Sequence, residues 1–322
     1  MFHKRVILLG GSGFIGTRLA FALANRGHQV TVPCRHAFRA SKLRVHPGIH
    51  VVQANIMDAG QLHQLCAGQD AVINLVGILH ERRKGDFRAA HVDLVKSLVS
   101  ACSRNGIRRL LHLSALGADQ ATGSSNYLRS KGEGENLLHT FGRKDLDVTS
   151  FQPSVVFGKH DSFINRFATI VKLCVGVFPL ACPKSQLAPV YVGDLVERIT
   201  STIDDRNSYS KRFQVCGPEV FTLQEIVEMI IEATGARCRV WPLGNAISKF
   251  QAVVLQNLPG KLFTLDNYRS LQTPNICQGS QPCKTSLGHY LQDIDQLFGN
   301  RKHYDRFRRN HSVDDETADE SS

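Results

Sequence analysis

The stretch VILLGGSGFIGTRLA, residues 6 to 20, restricts what this chain can fold into more than any other. An aliphatic run ends in a turn that carries Gly10, Gly13 and Gly16 in a G-x-x-G-x-x-G pattern, and a helix-forming segment follows. At such a junction the first glycine permits a tight turn and the second lets backbone approach a diphosphate. The third lets helix and strand pack together. The amides that open the helix, at Phe14, Ile15 and Gly16, then face the phosphates, and the helix dipole favours their charge. A lone glycine pattern is weak. One that follows a first strand and heads an alternating series predicts a dinucleotide site.

That series is present. RVILLGG, HQVTVPCR, IHVVQANI, DAVINLVG and RRLLHLSA read as strands, and the segments between them carry apolar residues at helical spacing. Nearly continuous apolar strands alternating with helices predict an α/β fold, a doubly wound parallel sheet of Rossmann type. The expected organisation is a dinucleotide-binding domain over 1–157 and a smaller, interwoven substrate lobe over 158–300. Within that lobe, segments at about 186–217 return to the sheet. DVTSFQPSVVFG reads as one strand, SFINRFATIVKLC as a helix leading into a Pro-rich loop, and 301–322 as a basic-then-acidic disordered tail.

Composition limits the partners. With 39 Lys+Arg against 28 Asp+Glu the formal charge is +11, which favours a phosphorylated cofactor, anionic lipid or an acidic protein face. The positive residues are dispersed and no nucleic-acid motif accompanies them, so nucleic acid is not indicated. The nine cysteines form no C-x-x-C pair, and Cys102, Cys174 and Cys216 read as small buried residues, which fits a reducing compartment. No run has the roughly 18 apolar residues a membrane span requires, and no signal peptide is read. The expected location is cytoplasm or the inner-membrane surface in a bacterium, or the matrix side of the mitochondrial membrane in a eukaryote.

The second strand decides which dinucleotide. NAD-preferring sites end it with an acid that bonds the ribose 2′-hydroxyl. Here VTVPCRH offers Arg35 instead, with Arg39 and Lys42 behind it. A guanidinium can pair with a 2′-phosphate, so NADP(H) is favoured over NAD(H).

From about residue 4 to 235 the chain resembles the extended and atypical branches of the short-chain dehydrogenase/reductase superfamily. Besides the glycine turn, QANIMD is similar to the segment that receives adenine, which implies Asn55, Ile56 and Asp58 there; the family usually has aspartate at Asn55. NLVGIL is similar to the segment lining the cofactor after the fourth strand, at Val76 and Gly77. FQPSVVFG resembles the R-P-x-x-V-Y-G stretch beside the nicotinamide, placing Pro153 there with Gln152 for the arginine. His91 stands where extended members usually have asparagine. LLHLSALGADQATGSSNYLRSKGEGENLL and VVFGKHDSFINRF resemble most the nucleotide-binding accessory subunit of respiratory complex I and its bacterial relatives. That resemblance implies tight NADPH binding and association with a membrane-bound respiratory or quinone-related complex, and it does not imply turnover.

The chemistry can also be read directly. Tyr127 and Lys131, four apart on a helix, share a face. An ammonium beside a phenol favours phenolate, so Tyr127 can act as acid/base while the nicotinamide exchanges hydride. Ser114, thirteen residues earlier at the end of the fifth strand, would orient the substrate oxygen, and Lys131 would also bond the nicotinamide ribose. The plain alternative is a surface tyrosine beside a helix start capped by Ser124, Ser125 and Asn126. Three functions stay open: a held structural or regulatory nucleotide, an active oxidoreductase or epimerase, and an NADPH redox sensor. Two surfaces remain. NAISKFQAVVLQNL spaces Ile247, Phe250, Val254 and Leu258 as one helical face, which could dock on a membrane or partner but is expected to belong to the lobe's core. The basic run from Arg301 to Arg309 suits peripheral contact with anionic lipid.

Overall fold

In a computed structural model the chain is described over residues 3–141, 145–257, 263–279 and 281–292. The tail at 301–322 and Leu258 lie outside the described residues. The first half runs β1 (Arg5–Leu9), α1 (Phe14–Asn25), β2 (Gln29–Cys34), β3 (Ile49–Gln53), α2 (Ala59–Cys66) and β4 (Ala71–Asn74). A short α3 (Asp86–Arg88) passes through a π-helical turn, Ala89–Asp93, into α4 (Leu94–Arg104). Then come β5 (Arg109–Leu113), α5 (Asn126–Phe141) and β6 (Asp147–Pro153). The second half adds β7 (Val156–Phe157), α6 (Ile164–Leu173), β8 (Gly176–Leu180), β9 (Gln186–Leu187), β10 (Val190–Tyr191), α7 (Val192–Thr202) and β11 (Lys211–Val215). After these follow β12 (Phe221–Thr222), α8 (Leu223–Thr234), β13 (Cys238–Pro242), α9 (Asn245–Leu255), α10 (Leu265–Leu271) and α11 (Leu287–Gln292).

Seven strands form one sheet in the order β11-β6-β5-β4-β1-β2-β3, every pairing parallel. This is the doubly wound sheet expected from the alternating pattern. The strand order reverses between β1 and β4, and ligands of such sheets bind in the crevice at that point. β4 and β5 are buried at every residue because helices cover both faces. One face packs Leu19, Leu23, Leu195 and Ile199 of α1 and α7, and the other packs Leu62, Leu94, Leu98 and Leu138 of α2, α4 and α5. Each fully buried leucine contributes roughly 1.5–3 kcal/mol of transfer free energy. Arg109 begins β5 yet is buried, and its guanidinium donates to the carbonyls of Asp147, Thr202 and Ile203 and to the hydroxyls of Thr149 and Ser208. Those bonds replace the water it loses.

The second lobe has its own core, with Phe157, Ile164, Val171, Ile226, Val227 and Ile230 at its centre. Three expectations change there. The stretch read as one strand becomes β6 and β7: the Ser154 amide still donates to Val215 of β11, and from Val156 the chain pairs with β10 instead. The segment read as a Pro-rich loop supplies β8, which pairs in parallel with β13. The helix read as core, α9, buries only Ser248 and Ala252, and it exposes Ile247, Phe250 and Val254. The cysteine reading changes as well. Cys216 is not a lone thiol but is joined to Cys277 by a disulfide across 61 residues, and Cys174 is only partly buried.

Candidate functional site

The glycine turn lies at the strand reversal. Gly10 has φ +79°, and a Cβ there would sit 3.1 Å from the carbonyl carbon of Leu75, so the turn abuts the chain that leaves β4. Gly13 precedes α1 with no side-chain cap, leaving the amides of Phe14, Ile15 and Gly16 to face whatever occupies the crevice. Gly16 packs against the turn itself, because its Cβ would fall 2.3 Å from the Gly10 oxygen. Arg35 follows β2 and is exposed, as is Lys42 on the 3-10 helix Ala37–Val45; the side chain of Arg39 is not among those described.

At the adenine end Asn55 is exposed and Ile56 packs on the core. Asn55 bonds the Met57 amide through its side chain, and Asp58 caps α2 by accepting from the Gln61 amide at 2.9 Å. The Asp58 oxygen that accepts is thereby committed to local structure. Pro153 is buried at the end of β6.

The chain after β4 is pinned by two buried neutral acceptors. Asn74 accepts from the Val76 amide at 3.0 Å and donates to His112 Nδ1 at 3.3 Å. His91 Nε2 accepts from the Ile78 amide at 3.1 Å, which fixes the tautomer: Nδ1 carries the proton and donates to Ser130 Oγ at 2.8 Å. Between these two clamps Gly77 is exposed, and a Cβ there would sit 3.8 Å from both Lys131 Nζ and His91 Nε2. Burial, with Lys131 adding repulsion, holds His91 down to about 3; burial likewise holds His112 well below the usual histidine value. Gly134 lets the helices come this close, since a Cβ there would fall 2.0 Å from the His91 carbonyl oxygen.

Tyr127 and Lys131 do share a face of α5, but their charges follow a different rule from the one expected. Burial pushes the phenol up to about 12, with no lowering by the ammonium. Burial also pulls the ammonium down to about 8, partly countered by Glu135. Lys131 Nζ donates one of its three N–H bonds to the Leu113 carbonyl at 2.5 Å, which ties the ammonium to the sheet. Ser114 Oγ donates to Glu135 at 2.6 Å, and Glu135 also accepts from Gln152 and approaches Arg212 at 3.4 Å. Tyr127 packs edge-on to His91 and beside Phe87. A cavity of about 510 Å³ opens next to it, lined among others by Phe87, Asn126, Asp266 and Arg269.

Sequence reasoning missed Asn74, His112, Glu135 and Asp266. Glu135 is four residues past Lys131 on the same helical face, which was a usable signal. Asn74 and His112 sit inside apolar strands with nothing to mark them. The supposed local cap of α5 is only partial: Ser125 accepts from the Leu128 amide, whereas the amides of Asn126 and Tyr127 donate to Asp266 of the second lobe.

A reversal-point glycine turn, an uncapped helix start and a Tyr-Lys helix on a seven-stranded parallel sheet are the features of a nicotinamide-dinucleotide-binding Rossmann domain, and in them the chain is similar to the extended short-chain dehydrogenase/reductase type. The NAD(P)H-binding family profile matches residues 10–162. The chain is 29% identical over 248 residues to the mitochondrial NADH dehydrogenase [ubiquinone] 1 alpha subcomplex subunit 9 of Dictyostelium discoideum, covering 76% of this chain and 68% of that one. It is 26% identical over 349 residues to a 3 beta-hydroxysteroid dehydrogenase/Delta 5-->4-isomerase of Mycobacterium tuberculosis, covering 91% and 92%. Among solved structures it shares the fold of the Thermus thermophilus UDP-glucose 4-epimerase in complex with NAD, at TM-score 0.62 and 19% identity over 83% of this chain and 99% of that one.

Proposed function

We propose that this protein holds NADP(H) as a structural or regulatory group and serves a respiratory or quinone-related membrane assembly without turning the nucleotide over. One observation carries the reading. Two of the three groups a reductase of this type would use already bond protein partners, Ser114 donating to Glu135 and Lys131 to the Leu113 carbonyl, and burial pushes the Tyr127 phenol up to about 12. A phenol so weakly acidic is a poor base near neutral pH. The roles proposed for Gly10, Gly13, Phe14, Ile15, Gly16, Val76, Gly77, Lys131 and Pro153 are to hold the dinucleotide, and Arg35 would meet its 2′-phosphate. Similarity to complex I subunits supports the assembly.

The test is a fluorescence titration with NADPH and NADH. NADPH should bind at least about tenfold more tightly, a difference of about 1.4 kcal/mol. Tyr127→Phe should leave that affinity within about twofold, since the hydroxyl contributes little to holding the ring. Steady oxidation of bound NADPH by a carbonyl compound, lost in Tyr127→Phe, would replace this reading with an enzymatic one.

Contact with anionic lipid is also proposed, on a surface the structure describes. Leu173, Val177, Trp241, Ile247, Phe250 and Val254 are exposed on the end of α6, the β8–β13 ribbon and α9. Gln251 of α9 donates to the Pro179 carbonyl at 3.2 Å, which sets the helix beside the ribbon. Residues 170–180 and 237–257 contain no acid and carry Lys172, Arg237, Arg239 and Lys249. Exposed apolar side chains on segments that carry cations and no acid suit an anionic bilayer surface. The protein should float with vesicles containing phosphatidylglycerol and not with purely zwitterionic ones, and Phe250→Glu should abolish flotation. Flotation unchanged by Phe250→Glu would remove this surface from the proposal.

A further inference from the structure

The helix that carries Tyr127 and Lys131 is held at its start by a residue from the other lobe. Asp266 on α10 accepts from the Asn126 amide at 2.7 Å through one carboxylate oxygen and from the Tyr127 amide at 3.0 Å through the other. One turn on, Ser270 Oγ donates to Ser125 Oγ at 2.8 Å, and Thr273 Oγ1 donates to Ser124 Oγ at 2.8 Å. Asp266 and Ser270, four apart, share one face of α10, so that helix and Thr273, two residues past its end, lie along SSNY as a row of polar contacts. The contact is not incidental to α10, which has its own reciprocal cap between Thr264 and Asn267. Its far end is fixed to the lobe where Ser185 Oγ donates to the Leu271 carbonyl at 2.7 Å. Asn126, Asp266 and Arg269 all line the 510 Å³ cavity.

From this geometry we infer that Asp266 is a positioning residue, through which docking of α10 sets the height and order of α5 at the nicotinamide end of the site. The inference rests on the reading that the nicotinamide lies against α5. The physics is that of a helix cap supplied from a distance. An ionised carboxylate satisfies two otherwise unpaired amides and sits at the positive end of the helix dipole. When α10 lifts, those amides lose their partners, and the first turn of α5 frays where Tyr127 sits. Lys131 lies one turn deeper, and its bond to Leu113 depends on that turn staying wound. The lobe and the nicotinamide end are therefore coupled, whereas the glycine turn and Arg35, which hold the phosphates, are not touched by α10. Coupling of this kind is reciprocal, so a bound nicotinamide must in turn favour the docked lobe.

The experiment compares NADPH with 2′,5′-ADP, which keeps the phosphate and adenine but lacks the nicotinamide. Asp266→Ala should weaken NADPH about tenfold, the size expected for losing a charged cap, and leave 2′,5′-ADP unchanged. Asp266→Asn, which keeps one accepting oxygen, should recover part of the loss. Hydrogen exchange gives a second readout: NADPH should slow the amides of residues 265–273 in the wild type and not in Asp266→Ala. Should Asp266→Ala fail to fold, the double variant Ser270→Ala/Thr273→Val removes the neighbouring contacts and should weaken NADPH selectively by about threefold. Equal weakening of both ligands would reduce Asp266 to a structural residue, and wild-type affinity with wild-type protection of α10 would overturn the proposal. If NADPH protects the glycine turn but not residues 126–131, the placement of the nicotinamide fails instead. The latch itself would then still be read from faster ligand-free exchange at Asn126 and Tyr127 in Asp266→Ala.

Discussion

Gly16→Ala is expected to abolish dinucleotide binding. The added Cβ would meet the Gly10 oxygen at 2.3 Å, the Gly11 Cα at 2.6 Å and the Gly11 carbonyl carbon at 2.8 Å. All three are backbone atoms, so no side chain can swing aside. α1 must back away from the turn, and with it the amides of Phe14 and Ile15. Misplacing a charge-binding group by even part of an ångström is costly, because such bonds weaken steeply with distance and angle. Binding should fall by at least about a hundredfold, equivalent to about 2.7 kcal/mol, and overpacking should destabilise the fold by roughly 1–3 kcal/mol. Gly244→Ala is the internal control, since it lies at the start of α9, outside the glycine turn, and its Cβ would meet nothing within 4 Å. Titration calorimetry with NADPH on both variants decides the matter: a Gly16→Ala protein that binds like the wild type would refute the placement of the diphosphate at this turn.

Acidification from pH 7 to 5.5 is the second large effect, through His91 and His112. Both are buried and neutral in the fold, with His91 held at about 3 and His112 well below its usual value. In the unfolded chain each titrates near 6.5. Below that pH the unfolded state binds more protons than the folded one, so stability falls as pH falls, by up to about 1.4 kcal/mol per unit for each group. Between pH 7 and 5.5 the two together cost about 2.5 kcal/mol. His139, which burial pulls to about 4, acts in the same direction. Burial pushes the Asp161 carboxyl up, which opposes the trend at lower pH, so the comparison is best read on a single substitution. His91→Asn should remove about half of the two-histidine loss, measured as the change in denaturant unfolding free energy between the two pH values. An identical acid response in that variant would mean that His91 titrates normally. The same protonation has a local consequence: a charged His91 cannot accept from Ile78, so the chain beside Gly77 should loosen first.

The parallel sheet, the glycine turn and the shared face of Tyr127 and Lys131 were legible because each is a local pattern of period or spacing. What was not legible depended on partners distant in sequence. RRLLHLSA reads as an apolar strand, yet its Arg109 and His112 are buried polar groups whose compensating partners lie on other elements. The expectation that Lys131 would acidify Tyr127 used spacing alone. In the fold burial governs the phenol and pushes it up, while one ammonium N–H is donated to the Leu113 carbonyl, neither of which spacing reveals. SSNY looked like a self-capping helix start, but its strongest acceptor comes from 139 or more residues downstream. The α9 stripe has the period of a core helix, and only the fold reveals that Ser248 and Ala252, not the large residues, face inward. The basic run from Arg301 to Arg309 lies outside the described residues.

The bond between Cys216 and Cys277 shortens a leash. Thr273 stands four residues before Cys277, and Cys216 directly follows β11 at the sheet edge. With that bond closed, a detached α10 remains within a few residues' reach of the strand ends, at the high effective concentration of a short tether. Re-docking is then an encounter within the molecule.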